Sequence, residues 1–576
     1  VHLPFDGGQR LVDRIRRLAT GGFACVLVLA AGCAGAPRSA SLEAAAPGTD
    51  GAGAITETGY REAISTLASD EFEGRKPGQP GETKTLEWLE AEYRRIGLQP
   101  GNAGSFRQEV PLVEITASPS AVLEVQGRDG SARFAYGDDM VVWTKRVVPE
   151  SRLEVSDLVF VGYGIVAPEV GWNDYAGLDM RGKTAVILVN DPDFEGGEPL
   201  FRGPAMTYYG RWTYKYEEAA RQGAAGALLV HETLPAAYGW DTVRNSWTGP
   251  QLDAESADGN ARRPAIEGWL TLDATRRLLA LGGRDFDRLK AAARTRGFRP
   301  VPLEATATVG VRNAVRRARS ANLVGVIPGS RHPDEYVIYM GHWDHLGRAM
   351  SFAGAGGDSI FNGAVDNATG IAGILEIAKA FQAAGRPPER TVAFLAVTAE
   401  ESGLLGSLYY GRNPLFPLAR TAAVINIDAL PPYGRTHDIE VIGYGASELE
   451  DYLREFAAEQ GRVLRPDQQP EKGFFYRSDH FELAKQGVPA LYVKTGMDSR
   501  TLPPGALRTM NDDYIANRYH KPGDHYDPAW DVAGSIEDLQ LLYRVGNRVA
   551  NERRWPGWYP ASEFRAIRER SRAAAR

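Results

Sequence analysis

His342, Asp344 and His345 stand together in GHWDHLG. Asp366 lies in FNGAVDNATG, Glu400 and Glu401 in VTAEESGLLGS, Asp428 directly after AAVINI, and His520 in RYHKPGDHYD. Imidazole and carboxylate groups are the donors that hold divalent cations, and a carboxylate can also move protons. Cys25 and Cys33 are the chain's only cysteines. Beyond them there is no thiolate to serve as ligand or nucleophile, so any metal must be held by His, Asp and Glu. One carboxylate after a strand is commonplace as a helix cap. Three strand-like runs that each end in His, Glu or Asp, with Asp366 at a loop-to-helix junction, are harder to attribute to capping.

The elements that must position these residues are legible from periodicity. EYVIYM, RTVAFLAV and AAVINI read as buried strands, joined by NLVGVIPG before them and PALYVKTG after. GIAGILEIAKAFQ sets Ile371, Ile374, Leu375, Ala378 and Phe381 on one helical face. Strands alternating with helices predict an α/β sheet covered on both faces, with its site at the carboxyl ends of the strands. Residues 55–115 open with helical patterns. In ETKTLEWLEAEYRRIGLQPG, Leu86, Leu89, Tyr93 and Ile96 share a face and Gly97 is placed to end the helix. Residues 116–305 are short β-rich runs between glycine-rich turns, which predicts a separate β-rich domain. Residues 306–560 return to the strand–helix pattern, and 561–576 read as a short, basic, solvated surface helix.

The composition, 43% hydrophobic and 24% charged over 576 residues, is that of a folded globular protein. A net charge of −7 without a Lys/Arg stripe argues against nucleic acid as partner. Residues 1–33 place four arginines before a short apolar stretch, the pattern of an export signal. Its end, Leu29-Ala30-Ala31-Gly32-Cys33, resembles a bacterial lipobox, although Ala30 occupies the place usually held by leucine. The expectation is an exported chain, periplasmic or in the cell envelope, anchored to the membrane only through a lipid on Cys33. Residues 34–54 are small and polar, as a flexible tether would be.

GHWDHLG, NGAVDNATG, TAEESGLLGS, NID and YHKPGD, in this order, resemble the M28 zinc peptidases, over about residues 55–115 and 310–560. The resemblance implies an aminopeptidase-like α/β fold with a mixed sheet and two zinc ions, for which cobalt or manganese could substitute. It implies that His342 and Asp428 hold one ion, Glu401 and His520 the other, and Asp366 both. Glu400 would be the general base, facing away from Glu401 because consecutive side chains of an extended segment point opposite ways. Asp344 would orient the imidazole of His342. The central region, notably VFVGYGIVAPEVGWNDYAGLDMRGKTAVILVND, resembles a protease-associated (PA) domain. The activity implied is aminopeptidase action on peptides. A carboxypeptidase or glutaminyl cyclase of the same fold, and a binding protein without metals, are the rivals.

Other motifs are weighed and set aside. Tyr476 could donate to an oxyanion, or be a buried aromatic with a satisfied hydroxyl. Ser478, Asp479 and His480 are consecutive, which triad members rarely are. Gly177 to Thr184 satisfies the P-loop pattern but runs into a strand, TAVILV, so no nucleotide is expected. His231, His332 and His437 read as surface or loop histidines. His345 is left out of the ligand set, which is complete without it, and His525 stands where M28 relatives often have glutamate.

Overall fold

The computed structural model describes residues 51–118, 120–196, 199–348 and 358–574. The leader, its lipobox and Cys33 lie outside these residues. Helix α1, Glu57–Leu67, starts at Thr56, whose hydroxyl oxygen accepts the Gly59 N–H. Helix α2, Pro80–Ile96, has proline in its first turn, where no N–H is needed, and stops at Gly97 with φ 88°. Leu86, Leu89 and Tyr93 are buried, as their spacing predicts.

The main sheet is mixed. Its strands are β1 (Arg107–Ala117), β2 (Val301–Ile327), β3 (His332–His342), β4 (Arg390–Val397), β5 (Thr421–Asn426), β6 (Asp438–Ile442), β7 (Val463–Pro466) and β8 (Ala490–Thr495). They lie in the order β1-β2-β4-β3-β5-β8-β6-β7. β3 runs parallel to both β4 and β5, so His342, Glu400 and Asp428, which follow or end these strands, emerge at the same edge. Both faces of the sheet are covered. In β3, Val337 and Tyr339 join one hydrophobic cluster while Ile338 and Met340 join the other, the period-two signature of a strand buried on both sides.

Helix α3, Thr369–Ala383, carries Asp366 just ahead of it and is buried almost all round. The five apolar residues predicted on its core face are buried, but so are Ala372, Glu376, Ile377 and Ala380. It is enclosed by the sheet, by α1 and by helix α4, Ala533–Asn551. Buried Glu376 is satisfied by the Thr56 N–H at 2.8 Å and by Lys379.

A second, β-rich sheet occupies the centre of the sequence. Residues 122–160 and 184–271 supply its strands, of which Thr184–Leu188, Gly226–His231 and Ile266–Thr271 run parallel. It has hydrophobic clusters of its own around Phe160 and Trp269. It is not a simple appendage. The 27-residue β2 pairs with this sheet through Ala305–Thr308 and with β1 through Asn313–Leu323, so one continuous strand belongs to both sheets. Pro250–Ala254, inside the expected insertion, returns to pair with β1.

Three expectations need correction. Gly51–Ala54 is a packed 3₁₀ turn, in which a Cβ on Gly51 would lie 2.1 Å from the Ala380 carbonyl oxygen, so residues 51–54 are not tether. The C-terminal helix Arg565–Ala574 is docked rather than merely solvated: Arg568 is buried and donates to the carbonyls of Leu418 and Thr421. His231 is no surface residue; it is buried at the end of a strand with Nε2 3.0 Å from the Tyr238 carbonyl. Thr184 starts a strand, as expected, and not the helix a P-loop requires. Among the described residues no helix is long and apolar enough to cross a membrane.

Candidate metal centre

Five separate chain segments deliver their donors to one buried acidic centre. His342 ends β3, and its Nε2 lies 3.3 Å from Asp366 Oδ1 and 3.5 Å from Asp428 Oδ1. Asp366 reaches the opposite side with its other oxygen, 3.1 Å from His520 Nε2. His520 Nε2 is also 3.0 Å from Glu401 Oε2. Two triads result, each with its ligand atoms within 4.8 Å of one another: His342, Asp366 and Asp428, and His345, Asp366 and Glu401. Asp366 belongs to both. Imidazole nitrogen and carboxylate oxygen are the donor set that suits zinc, so the residues present fit that metal.

His345 is the donor that the sequence pattern does not single out. Its Nδ1 is 2.6 Å from Glu401 Oε1, and its Nε2 is buried without a partner among the described residues. The chain after β3 is irregular, so alternation along the strand says nothing about where His345 points. Its spacing three residues from His342 is the one signal the sequence carries.

The paired glutamates also differ from expectation. The backbone leaves β4 through Ala399 at φ 53°, so Glu400 and Glu401 sit on a turn and not on an extended segment. Glu401 faces His520 and His345, whereas Glu400 Oε2 approaches His342 Nε2 at 3.9 Å. Asp344 links the two halves in a way its sequence does not suggest. Its backbone carbonyl lies 3.1 Å from His342 Nδ1, while its carboxylate accepts the Glu400 backbone N–H at 3.0 Å. The carboxylate itself is 3.7 Å from His342 Nδ1. The carbonyl thus holds the imidazole and the carboxylate holds the Glu400 turn.

Asp524 fixes Asp366 by accepting the N–H groups of Val365 and Asp366, both at 3.1 Å. Buried Arg75 donates to the carbonyls of Trp343, Leu67, Asn362 and Gly363, tying the loop after β3 to the loop before Asp366. His525 turns away, to Asp358 at 3.1 Å.

Charge in this centre is strongly perturbed. Burial pushes Glu400 well above the usual carboxyl range, and the negative charges of Glu401, Asp479 and Asp428 push it further, against the pull of His342. Burial likewise raises Asp344 to about 7. Burial opposes ionisation of Asp366 too, but His342 and His520 override it and hold the carboxyl well below its usual value. Burial would lower His342 and His520, yet the surrounding carboxylates raise both well above the ordinary imidazole range. The cluster is therefore arranged to attract positive charge.

Tyr476 is buried and its hydroxyl donates to Glu563 at 2.8 Å, which is the satisfied-aromatic reading and not the oxyanion donor. Ser478, Asp479 and His480 do not converge. Ser478 donates to Asp428 Oδ2 at 2.6 Å and accepts from Asn426 at 2.7 Å, while Asp479 receives Ser407. Ser478 thereby sets the Asp428 carboxylate. Ser478→Ala is expected to weaken zinc binding by roughly 10- to 100-fold, the usual cost of losing a partner that orients a ligand. Competition against a chelator measures this, and an unchanged affinity would remove Ser478 from the support of the centre.

The centre opens into a cleft of about 510 Å³ that Glu400, Glu401 and His520 share with residues of the β-rich sheet. Trp143 and Trp247, stacked at 3.8 Å, also line it. Residues 322–543 match Peptidase family M28. The chain is 34% identical over 140 residues to Aminopeptidase NAALADL1 of Mus musculus, covering 23% of this chain and 17% of that protein. It is 37% identical over 106 residues to a probable zinc metalloprotease of Pyrenophora tritici-repentis, covering 18% and 23%. The chain thus spans less than a quarter of the length of these relatives. A solved aminopeptidase from Aneurinibacillus sp. strain AM-1 aligns with 87% of this chain and 95% of its own at a TM-score of 0.47 and 18% identity. With its motifs in order and their donors gathered at one strand edge, the segment 322–543 is similar in sequence to peptidase family M28.

Proposed function

We propose that this chain is a two-zinc exopeptidase, an aminopeptidase that removes N-terminal residues from peptides. The observation that carries the reading is the pair of donor triads sharing Asp366, with Glu400 beside them at the mouth of a substrate-sized cleft. His342 and Asp428 would hold one ion, Glu401 and His520 the other, and Asp366 both; His345 is a further donor on the second side. Zinc bound there supplies a Lewis acid for the scissile carbonyl and the positive charge that keeps Glu400 ionised. Glu400 takes the proton of the attacking water and passes it to the leaving amine. Burial and neighbouring carboxylates give Glu400 high proton affinity, the property this step needs. Asp344 aims Glu400 through its backbone N–H and aims His342 through its own carbonyl.

The β-rich insertion is read as a PA domain that narrows access to the centre. Export with lipidation at Cys33 completes the reading; Cys33→Ala would release the chain from the membrane fraction of a bacterial host, and unchanged partitioning would exclude the anchor. The experiment for the activity is a peptide mixture, half with free and half with acetylated N-termini, followed by mass spectrometry. Stepwise loss from free N-termini alone is expected. Loss of residues from the other end of the acetylated peptides would make the enzyme a carboxypeptidase, and formation of cyclised N-termini would make it a cyclase. No change in zinc-loaded protein would favour a binding role.

A further inference from the structure

The cleft holds a second charged feature, opposite in sign to the metal centre. Arg211 lies in the β-rich insertion, just before the helix Trp212–Arg221, and Arg477 lies in the M28-like segment, just before Ser478. Both line the cleft that contains Glu400 and His520. Arg211 is 7% exposed, and its Nε is buried without a hydrogen-bond partner. The Nε and Nη2 of Arg477 are buried and unpartnered in the same way. Neither guanidinium makes an ion pair or a side-chain hydrogen bond among the described residues. The contrast with nearby cations is sharp: Lys145 pairs with Asp253, Arg263 with Glu267, and Lys485 with Glu217 and Glu482.

An unpaired buried guanidinium is costly, and two within reach of one another are costlier. Burial, with the charge of Arg477 adding to it, lowers Arg211 to about 9. Burial lowers Arg477 as well, partly offset by Tyr238 and Tyr519. Tyr519 stacks on the His520 ring at 4.0 Å, which ties this positive feature to the metal centre. A guanidinium presents a planar fork of donors that matches a carboxylate.

We propose that Arg211 and Arg477 form a carboxylate-binding site across the junction of insertion and M28-like segment. On the peptidase reading above, the substrate is then a peptide with a carboxylate close to the bond that is cut. That carboxylate is the C-terminus of a short peptide or an acidic side chain. The insertion contributes directly to substrate choice, because one of the two arginines is its own. The site also explains why the chain buries two unmatched guanidinium groups in a cleft where Lys145, Arg263 and Lys485 are each paired.

The test uses the full zinc-loaded chain and three substrates: Ala-Ala, Ala-Ala amide and Ala-Glu amide. The free acid is expected to exceed the neutral amide in kcat/KM by roughly 10- to 100-fold, chiefly through KM. Recovery with Ala-Glu amide would assign the site to acidic side chains, and no recovery to the C-terminus. Arg211→Met and Arg477→Met should each bring the favoured substrate down towards the neutral amide, with Arg→Lys variants in between. Equal treatment of all three substrates, or a preference that survives both Met variants, overturns the proposal and leaves the peptidase reading intact. Should the Met variants fail to fold, the wild-type acid-to-amide ratio and the Lys variants decide. Should no peptide be cut, the peptidase reading fails and calorimetry with N-acetylglycine decides for the arginines. Binding that weakens at least tenfold in the Lys variants supports the site; no binding, or unchanged binding, overturns it.

Discussion

Glu400→Gln should leave the protein folded and metal-loaded while lowering kcat by roughly 10²- to 10⁴-fold, the range a positioned general base contributes. Glutamine has the same size and can keep the backbone N–H bond from position 400 to the Asp344 carboxylate. The turn that presents the side chain is therefore undisturbed, and the residues assigned to zinc are untouched. What is lost is the capacity to accept and return a proton. Steady-state kinetics beside a zinc determination on the same sample separates the two effects. A fall of less than tenfold with zinc intact would mean that another group moves the proton.

Asp366→Asn should have the largest effect on metal content. One oxygen of Asp366 faces His342 at 3.3 Å and the other faces His520 at 3.1 Å, so a single carboxylate serves both sides of the centre. Asparagine keeps the shape and removes the charge. A partner that merely orients a ligand is worth about 10- to 100-fold in affinity, and losing the charge of a shared ligand should exceed that at both positions. Zinc per chain is expected to fall from near two to below one, and the rise in melting temperature on adding zinc should be lost. That rise follows from mass action, about 2.7 kcal/mol when zinc is at one hundred times its dissociation constant. The position is otherwise well held, since Asp524 anchors the backbone of Val365 and Asp366. Full zinc content in the variant would show that Asp366 does not join the two sites.

Stability in this protein is tied to the same centre. Glu400, Glu401, Asp344, Asp366 and Asp428 are brought together by strands and loops from distant parts of the chain. The histidines offset part of their repulsion, as the raised His342 and His520 show. The two-sided core around β3 supports the centre, and Arg75 donates to the carbonyls of Trp343, Asn362 and Gly363 in the site loops and of Leu67 at the end of α1.

The strands, the helices and the chemistry at their ends follow from local patterns in the amino-acid sequence. Apolar runs of strand length can be buried on both faces only inside a covered sheet, and parallel neighbours bring their following residues to one edge. His342, the pair Glu400 and Glu401, and Asp428 can therefore be grouped from sequence pattern alone, while the choice between the two glutamates comes from the family resemblance. The helix stop at Gly97 and the strand after Gly182 are legible for the same reason, because they depend on local backbone chemistry. The roles of the loops depend instead on tertiary packing. Packing turns His345 onto Glu401, gives the Tyr476 hydroxyl to Glu563, sets Ser478 on Asp428, and brings Arg211 into the cleft of Arg477. Each of these contacts joins side chains far apart in the chain, on segments without a repeating backbone. Periodicity fixes the direction of a side chain only while the backbone repeats, and the packing of distant segments fixes it elsewhere.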